Sequence, residues 1–498
     1  MSIKSFFGLL FSYIVEKQNN NWKHNAQKSQ DNVFNELIKK SKNTVFGKDH
    51  DFSQITSYSD FTKKVPVRDY EGISSYIEKI KEGKENVLWP KKPMYFCKTS
   101  GTTSGTKYIP ITKESLHYQL KSARDAIFSY IYETKNHSII NGKMIFIQGS
   151  PALEKIGGVP TGRLSGIVAL HTPFYLKSNQ LPSFTTNCIE DWEEKIDSIV
   201  EETIDQNMSL ISGIPPWVQM YFEKLKKKSG KKIKSLFPNF DLFIYGGVNY
   251  LPYKETFKKL IGGSVHGIEL YPSSEGFIAY QDRQEKEGML LCVSHGIFYE
   301  FISVDDFLKN LFIRKRIHEV EIGVNYVIIL STNAGLFAYN IGDTVKFVST
   351  NPYRIIVTGR VSQFISAFGE HVIVEEVEKS LNKLVKSSSV LINEFHVAPQ
   401  VNPKEGLPFH EWFIEFNSNP ENMSLFESKL DESMKSLNSY YCDLITGKIL
   451  RPLKIRKIEV GGFKKYMSSV GKLGGQNKVP RVSNDRSIAD KLKKYSIK

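Results

Sequence analysis

Residues 94–112 read MYFCKTSGTTSGTKYIPIT, two apolar runs on either side of nine consecutive small, hydroxylated or cationic residues, Thr99 to Lys107. Met94 to Cys97 and Tyr108 to Ile111 have the β-branched and aromatic content of short strands, so the segment predicts a hairpin-like loop. Thr112 can cap a helix with Glu114 in its first turn. Leu116, Leu120, Ala123, Ile127 and Tyr130 then recur at three- and four-residue spacing, which predicts an apolar stripe facing a core. A strand, loop, strand and helix in immediate succession set the expectation of an α/β chain.

The same alternation continues downstream. Strands are expected at Met144–Ile147, Ser209–Ser212 and Leu242–Tyr245, with helices around 190–205, 215–228 and 253–260, an order that implies a largely parallel sheet. From about Gly288 the strands Met289–Val293, Ile297–Ile302, Tyr326–Ser331, Thr344–Val348 and Arg354–Thr358 follow closely, so a more antiparallel, β-rich subdomain is expected there. A smaller α+β region follows, with a helix near 374–385 and strands at Phe395–Ala398 and Trp412–Phe416. The expected division is therefore a large N-terminal domain of mixed sheets layered with helices, 1–360, and a small, mobile α+β C-terminal domain, 361–498. A length of 498 residues with 40% hydrophobic and 24% charged side chains suits such a folded chain and excludes collagen, coiled coil and wholesale disorder.

The net charge of +14 is concentrated at one end, because residues 451–498 hold 14 Lys or Arg against Glu459, Asp485 and Asp490. A cationic module attracts any anion, a nucleoside triphosphate included, and does not select nucleic acid. Four scattered cysteines, Cys97, Cys188, Cys292 and Cys442, lack metal or disulfide spacing and fit a reducing cytoplasm. Phe6 to Val15 is apolar but far short of the ~18–20 residues that cross a bilayer, so it reads as a helix with at most a peripheral membrane contact.

Four segments carry candidate chemistry. In Thr99-Ser100-Gly101-Thr102-Thr103-Ser104-Gly105-Thr106-Lys107, glycines let backbone N–H groups and hydroxyls surround phosphate oxygens while the lysine offsets their charge. The spacing is not that of a Walker A loop, and the same composition also suits a surface loop. In Glu269-Leu270-Tyr271-Pro272-Ser273-Ser274-Glu275-Gly276, an aromatic ring that can stack on a purine precedes a carboxylate able to take a hard cation, although an acidic turn has the same composition. Upstream, Gly246, Gly247 and Val248 follow a strand and would let a flat ring approach the backbone. Asp343 in Tyr339–Asp343 can accept two hydrogen bonds from ribose hydroxyls, and Arg360 follows at the expected hinge. Gly474 to Arg481 presents Lys478 in the basic region. His266 and His295 have no partner at metal spacing, so structural roles are expected of both.

Taken in order, these motifs resemble those of the auxin-responsive acyl acid–amido synthetase family, a branch of the adenylate-forming superfamily, and the resemblance covers most of the chain. TSGTTSGTKYIPIT resembles its phosphate loop, YPSSEG its tyrosine and glutamate motif, YNIGD its ribose motif and GGQNKVPR its C-terminal lysine segment. The resemblance implies an adenylate-forming fold and an ATP- and Mg²⁺-dependent ligase that activates a carboxylic acid as acyl-AMP and passes it to an amine, an amino acid. Thr99, Ser100, Gly101, Thr102, Thr103, Ser104, Gly105 and Lys107 would hold phosphates, with Gly246, Gly247, Val248, Tyr271 and Ser274 around adenine. By the same resemblance Glu275 would bind magnesium, Asp343 and Arg360 the ribose, and Lys478 would serve adenylation. One departure is that plant members usually carry arginine within the motif that ends in Gly-Asp, whereas this chain has Ala338 before Tyr339 and Asn340 after it. The competing expectations are an acyl-CoA synthetase-like ligase and a non-catalytic basic anion-binding protein. The expected partners are small-molecule acid and amine substrates, without nucleic acid and without a membrane span; the sequence does not fix the oligomeric state, and a monomer is compatible with it.

Overall fold

The computed structural model describes the chain apart from residues 1, 2, 101–105, 173–176, 190, 248, 249, 251, 252, 362, 363, 366, 369, 371, 387, 389, 472–478 and 498. Two compact units emerge: Met1–Val248 with Leu260–Val357, and Asn249–Lys259 with Thr358–Lys498.

The first unit begins with α1 (Ile3–His24), whose buried side is mostly polar, with Val15 and Trp22 also inside. Ser5, Ser12, Glu16, Asn19 and Lys23 lie inside, because ion pairs and hydrogen bonds satisfy most of them there. Lys23 Nζ is 3.0 Å from Glu16 and 3.5 Å from Asp282; Arg283 also reaches Glu16, and Arg354 reaches Asp282. Asn19 donates to the Tyr280 hydroxyl and accepts from the Trp22 indole.

β1 (Tyr95–Ser100) and β2 (Thr106–Ile111) form the expected antiparallel hairpin, with Thr99 opposite Lys107 and Ser100 opposite Thr106. Thr112 and Ser115 then build a reciprocal cap for α2 (Lys113–Thr134). The expected stripe of α2 is buried at its ends, at Leu116 and Tyr130, and half-buried at Leu120, Ala123 and Ile127; Ser115, Gln119, Ser122, Asp125, Ala126, Ser129 and Ile131 are buried beside it. The helix is covered by the sheet and also packs on α1, so the apolar flank is no longer its only buried face.

The central sheet has eleven strands. Its parallel part comprises β3 (Lys143–Ile147), β5 (Met208–Gly213), β6 (Leu242–Gly246) and β7 (His266–Pro272), with the two-residue edge strand Gln180–Leu181 parallel to β3. β4 (Val159–Gly162) belongs instead to a four-stranded sheet, where it pairs in parallel with β1. Helices α3 (Trp192–Thr203) and α4 (Pro215–Ser229) fall between parallel strands, as their periodicity predicts. The antiparallel strands expected after Gly288 continue the same eleven-stranded sheet. A strand not expected from the sequence, β8 (Phe277–Tyr280), precedes them and pairs antiparallel with β7; they are β9 (Met289–Leu291), β10 (Ile297–Ser303), β11 (Asn325–Thr332), β12 (Tyr339–Thr350) and β13 (Tyr353–Arg360). β7 pairs in parallel with β6 and antiparallel with β8, which joins the two kinds of pairing, and β9 pairs antiparallel with both β8 and β13. The core runs through both parts, from Leu242, Ile244 and Ile268 to Tyr299, Phe301 and Phe347.

In the second unit, α5 (Val374–Lys386) precedes β14 (Leu391–Gln400) and β15 (Phe409–Ser418), which pair antiparallel. After α6 (Met423–Leu437), β16 (Lys454–Ile458) adds in parallel to β15. Trp412, Ile414, Val377, Leu381 and Leu430 form its core. No described helix is long and apolar enough to cross a membrane.

Candidate active site

The carboxyl ends of parallel strands are where open α/β sheets receive ligands, and the motif residues gather there. Gly246 ends β6 beside Leu270 of β7. A Cβ on Gly246 would stand 2.3 Å from the Leu270 carbonyl oxygen, so only glycine fits, and Gly247 follows with φ +78°. β7 ends in Tyr271 and Pro272, after which Ser273 and Gly276 exchange backbone hydrogen bonds of 2.9 and 3.2 Å to close a tight turn carrying Ser274 and Glu275. Gln119 of α2 donates to the Ser273 carbonyl at 2.8 Å and fixes that turn.

The hairpin strand and this turn are connected directly. Cys97 Sγ donates to Ser274 Oγ at 3.1 Å, two residues before Thr99. Burial pushes the Cys97 thiol up to about 12, so this sulfur is a structural donor and not a nucleophile. Lys107, opposite Thr99, lies 5.6 Å from the Tyr70 ring centroid and has no acid partner among the described residues. An ammonium without an internal counter-ion is a group available to phosphate. Gly101 to Gly105, Val248 and Lys478 lie outside the described residues, as does the side chain of Ser100.

Tyr271 and Asp343 meet, with the phenol donating to Asp343 Oδ2 at 2.7 Å. The YNIGD motif lies inside β12, where the sequence predicts a strand only from Thr344. Its anchoring explains the departure at position 340. The Asn340 side chain accepts from Gly342 N at 2.8 Å, its own N–H donates to the Arg68 carbonyl, and Gly342 takes φ +82°. A short amide thus fixes the turn of backbone before Asp343, a local role open to asparagine. Arg360 is the exposed last residue of β13 and belongs to the second unit.

His266 and His295 have the structural roles expected of them. The His266 ring is 2.8 Å from the Tyr130 hydroxyl, and the buried His295 ring is 2.8 Å from Ser122 Oγ. Among the described residues no cluster of three His, Cys, Asp or Glu could hold a metal. Glu275, half-buried on its turn, suits a hard cation held by one protein carboxylate, phosphate and water.

Three charged residues, Glu269, Arg163 and Lys195, are given no role by the motifs. Burial pushes Glu269, two residues before Tyr271, up to about 7. Arg163 packs its stem on Gly149, where an added Cβ would be 2.9 Å from Arg163 Cδ, and its guanidinium has no ion pair or hydrogen bond among the described residues. It lies within electrostatic reach of Cys97 and of Lys195 on α3. Lys195 is 1% exposed, donates to the Asn187 carbonyl and is pushed down to about 8 by burial. Two partly or fully buried cations without an acid partner had no sequence signal beyond charge at unrelated positions.

Comparison with known proteins follows this geometry. The GH3 family N-terminal domain matches residues 16–189, the central domain 290–360 and the C-terminal domain 374–487. An Arabidopsis thaliana indole-3-acetic acid-amido synthetase, GH3.10, is 22% identical over 537 residues, which cover 88% of each chain. The solved structure of the GH3.15 acyl acid amido synthetase superposes with a TM-score of 0.80 at 16% identity, covering 97% of this chain and 96% of that one. A 2-hydroxyisobutyryl-CoA ligase bound to its acyl-AMP has a TM-score of 0.57 at 12% identity, with 93% and 91% covered, so the likeness in fold extends to adenylate-forming ligases. The resemblance read from the four motifs is therefore borne out: with three domain matches following one another in order along the chain, this protein belongs to the GH3 family.

Proposed function

We propose that this chain is an acyl-acid amido synthetase that uses ATP to join a carboxylic acid to an amino acid. A carboxylate oxygen attacks the α-phosphorus of ATP and the bond to pyrophosphate breaks, giving acyl-AMP. The amine nitrogen then attacks the acyl carbon, the bond to AMP breaks, and the amine proton leaves to solvent. No nucleophilic side chain is required, consistent with the inert thiol at Cys97. The observation that carries this reading is the direct tie between the phosphate-type hairpin and the Ser274–Glu275 turn through Cys97 and Ser274, within a GH3 chain.

In this reading Lys107 and the backbone of 99–105 neutralise and orient the β- and γ-phosphates, because a carboxylate approaching an anion needs its charge offset. Gly246 and Gly247 leave room for the adenine ring beside Tyr271, and Asp343 accepts from the ribose. Mg²⁺, when bound, supplies further charge neutralisation on the polyphosphate, and Glu275 would hold it. Arg360 and Lys478 belong to the second unit's contribution, with Lys478 assigned to the α-phosphate. A screen of purified protein over carboxylic acids crossed with amino acids should release AMP and form an amide. Thioester formation with coenzyme A and no amide would sink the reading.

To Arg163 we assign a carboxylate, that of the acceptor amino acid, since its guanidinium and buried Lys195 lack an acid. Arg163→Gln is expected to raise KM for the amino acid roughly 10- to 100-fold, the value of a lost charge-assisted hydrogen bond. Pyrophosphate exchange with the acid alone should change little; a loss confined to exchange would place this cation at the acyl acid instead.

A further inference from the structure

Over residues 6–14 the water-facing side of α1 is apolar. Phe6, Phe7, Leu10, Phe11 and Ile14 are 41% to 60% exposed, while Ser5, Ser12, Glu16 and Asn19 are turned inward. These five side chains recur at one-, three- and four-residue intervals and form one stripe about 12 Å long. The arrangement is not a helix waiting to turn over, because its polar side is held by the Glu16–Lys23–Asp282 network and by Asn19 with Tyr280. The stripe is also bordered by cations. Lys4 and Lys17 are exposed at its two ends, the Arg124 guanidinium lies 5.7 Å from the Phe11 ring and Lys135 Nζ 4.5 Å from the Tyr13 ring. Glu16 is the sole acid of α1, and it is buried.

We infer that α1 is a docking face for an anionic lipid bilayer, lying in the plane of the interface with its phenylalanines and Leu10 among the acyl chains. An apolar stripe edged by Lys and Arg is the composition that binds anionic interfaces. A second copy of the chain fits less well. Antiparallel pairing of two α1 stripes about a two-fold axis would bring Lys4 of one helix towards Lys17 of the other, with no acid on either stripe to separate them. The inference does not depend on the reaction proposed for the active site.

Co-sedimentation of the full chain with vesicles of phosphatidylcholine alone, and of phosphatidylcholine with phosphatidylserine, tests it. The protein is expected to pellet with the mixed vesicles, weakly or not at all with phosphatidylcholine, and less as salt rises. The double substitution Phe7→Ser, Leu10→Ser should reduce that partition roughly 30-fold or more, in keeping with the loss of two buried apolar side chains. Its thermal unfolding should stay unchanged, since both residues are exposed. Equal binding to both vesicle types, binding to neither, or a dimer in light scattering that the double variant dissociates would each overturn the inference.

Discussion

Lys478→Ala is expected to lower acid-dependent pyrophosphate exchange by roughly 10²- to 10³-fold, the usual cost of removing one donor aimed at developing charge. ATP binding measured by calorimetry should change far less, because Lys107 and the hairpin backbone, proposed above for the outer phosphates, are left intact by the substitution. The segment that presents Lys478 is anchored immediately after it. The Pro480 carbonyl lies 2.7 Å from His396 Nδ1, Val397 N–H donates to the Arg481 carbonyl at 2.8 Å, and Arg481 pairs with Glu394. An alanine at 478 therefore removes an ammonium without loosening the edge of β14. Acyl-AMP supplied ready-made should still be converted to amide by the variant, since the lysine is assigned to the first half-reaction alone. Undiminished exchange would remove Lys478 from the mechanism.

The second large effect concerns stability. Lys23→Met should cost about 3–5 kcal/mol, the range for breaking a buried pair by removing one partner. Lys23 is 4% exposed and stands between Glu16 and Asp282, themselves 4% and 2% exposed. Arg283 and Arg354 remain, but neither can replace an ammonium that touches both acids. Lys17→Met, on the exposed face of the same helix, should change stability by no more than about 0.5 kcal/mol. Urea midpoints of the two variants decide the matter: an unmoved midpoint for Lys23→Met would mean that the network contributes nothing.

Local signals made the strands and helices of the first unit legible. The hairpin around 101–105, the cap at Thr112 and the helices near 192, 215 and 254 each follow from a few contiguous residues. Long-range pairing was not legible: nothing in Met289–Leu291 announces that it bridges β8 and β13 into one sheet. Burial of polar faces was equally hidden. On α1 and α2 the inward residues include Ser, Gln, Asn, Asp, Glu and Lys, and the partners of these polar groups come from sequence positions up to 267 residues away, as with Arg283 and Glu16. The site divides in the same way. Thr99–Lys107, Tyr271–Gly276 and Tyr339–Asp343 are continuous stretches whose composition states a chemistry, whereas Gln119, Arg163 and Lys195 acquire meaning only from their neighbours in space.

The reversed helix α1 also bears on how the protein is handled. Trimming a sticky leader to improve expression is common practice, and the first sixteen residues invite it. Such a truncation would delete Glu16 along with the phenylalanines and strand Lys23 against Asp282 alone, trading an adhesive surface for a weakened interior. Point changes at Phe7 and Leu10 separate the two properties, because on this helix solubility is written on one side and cohesion on the other.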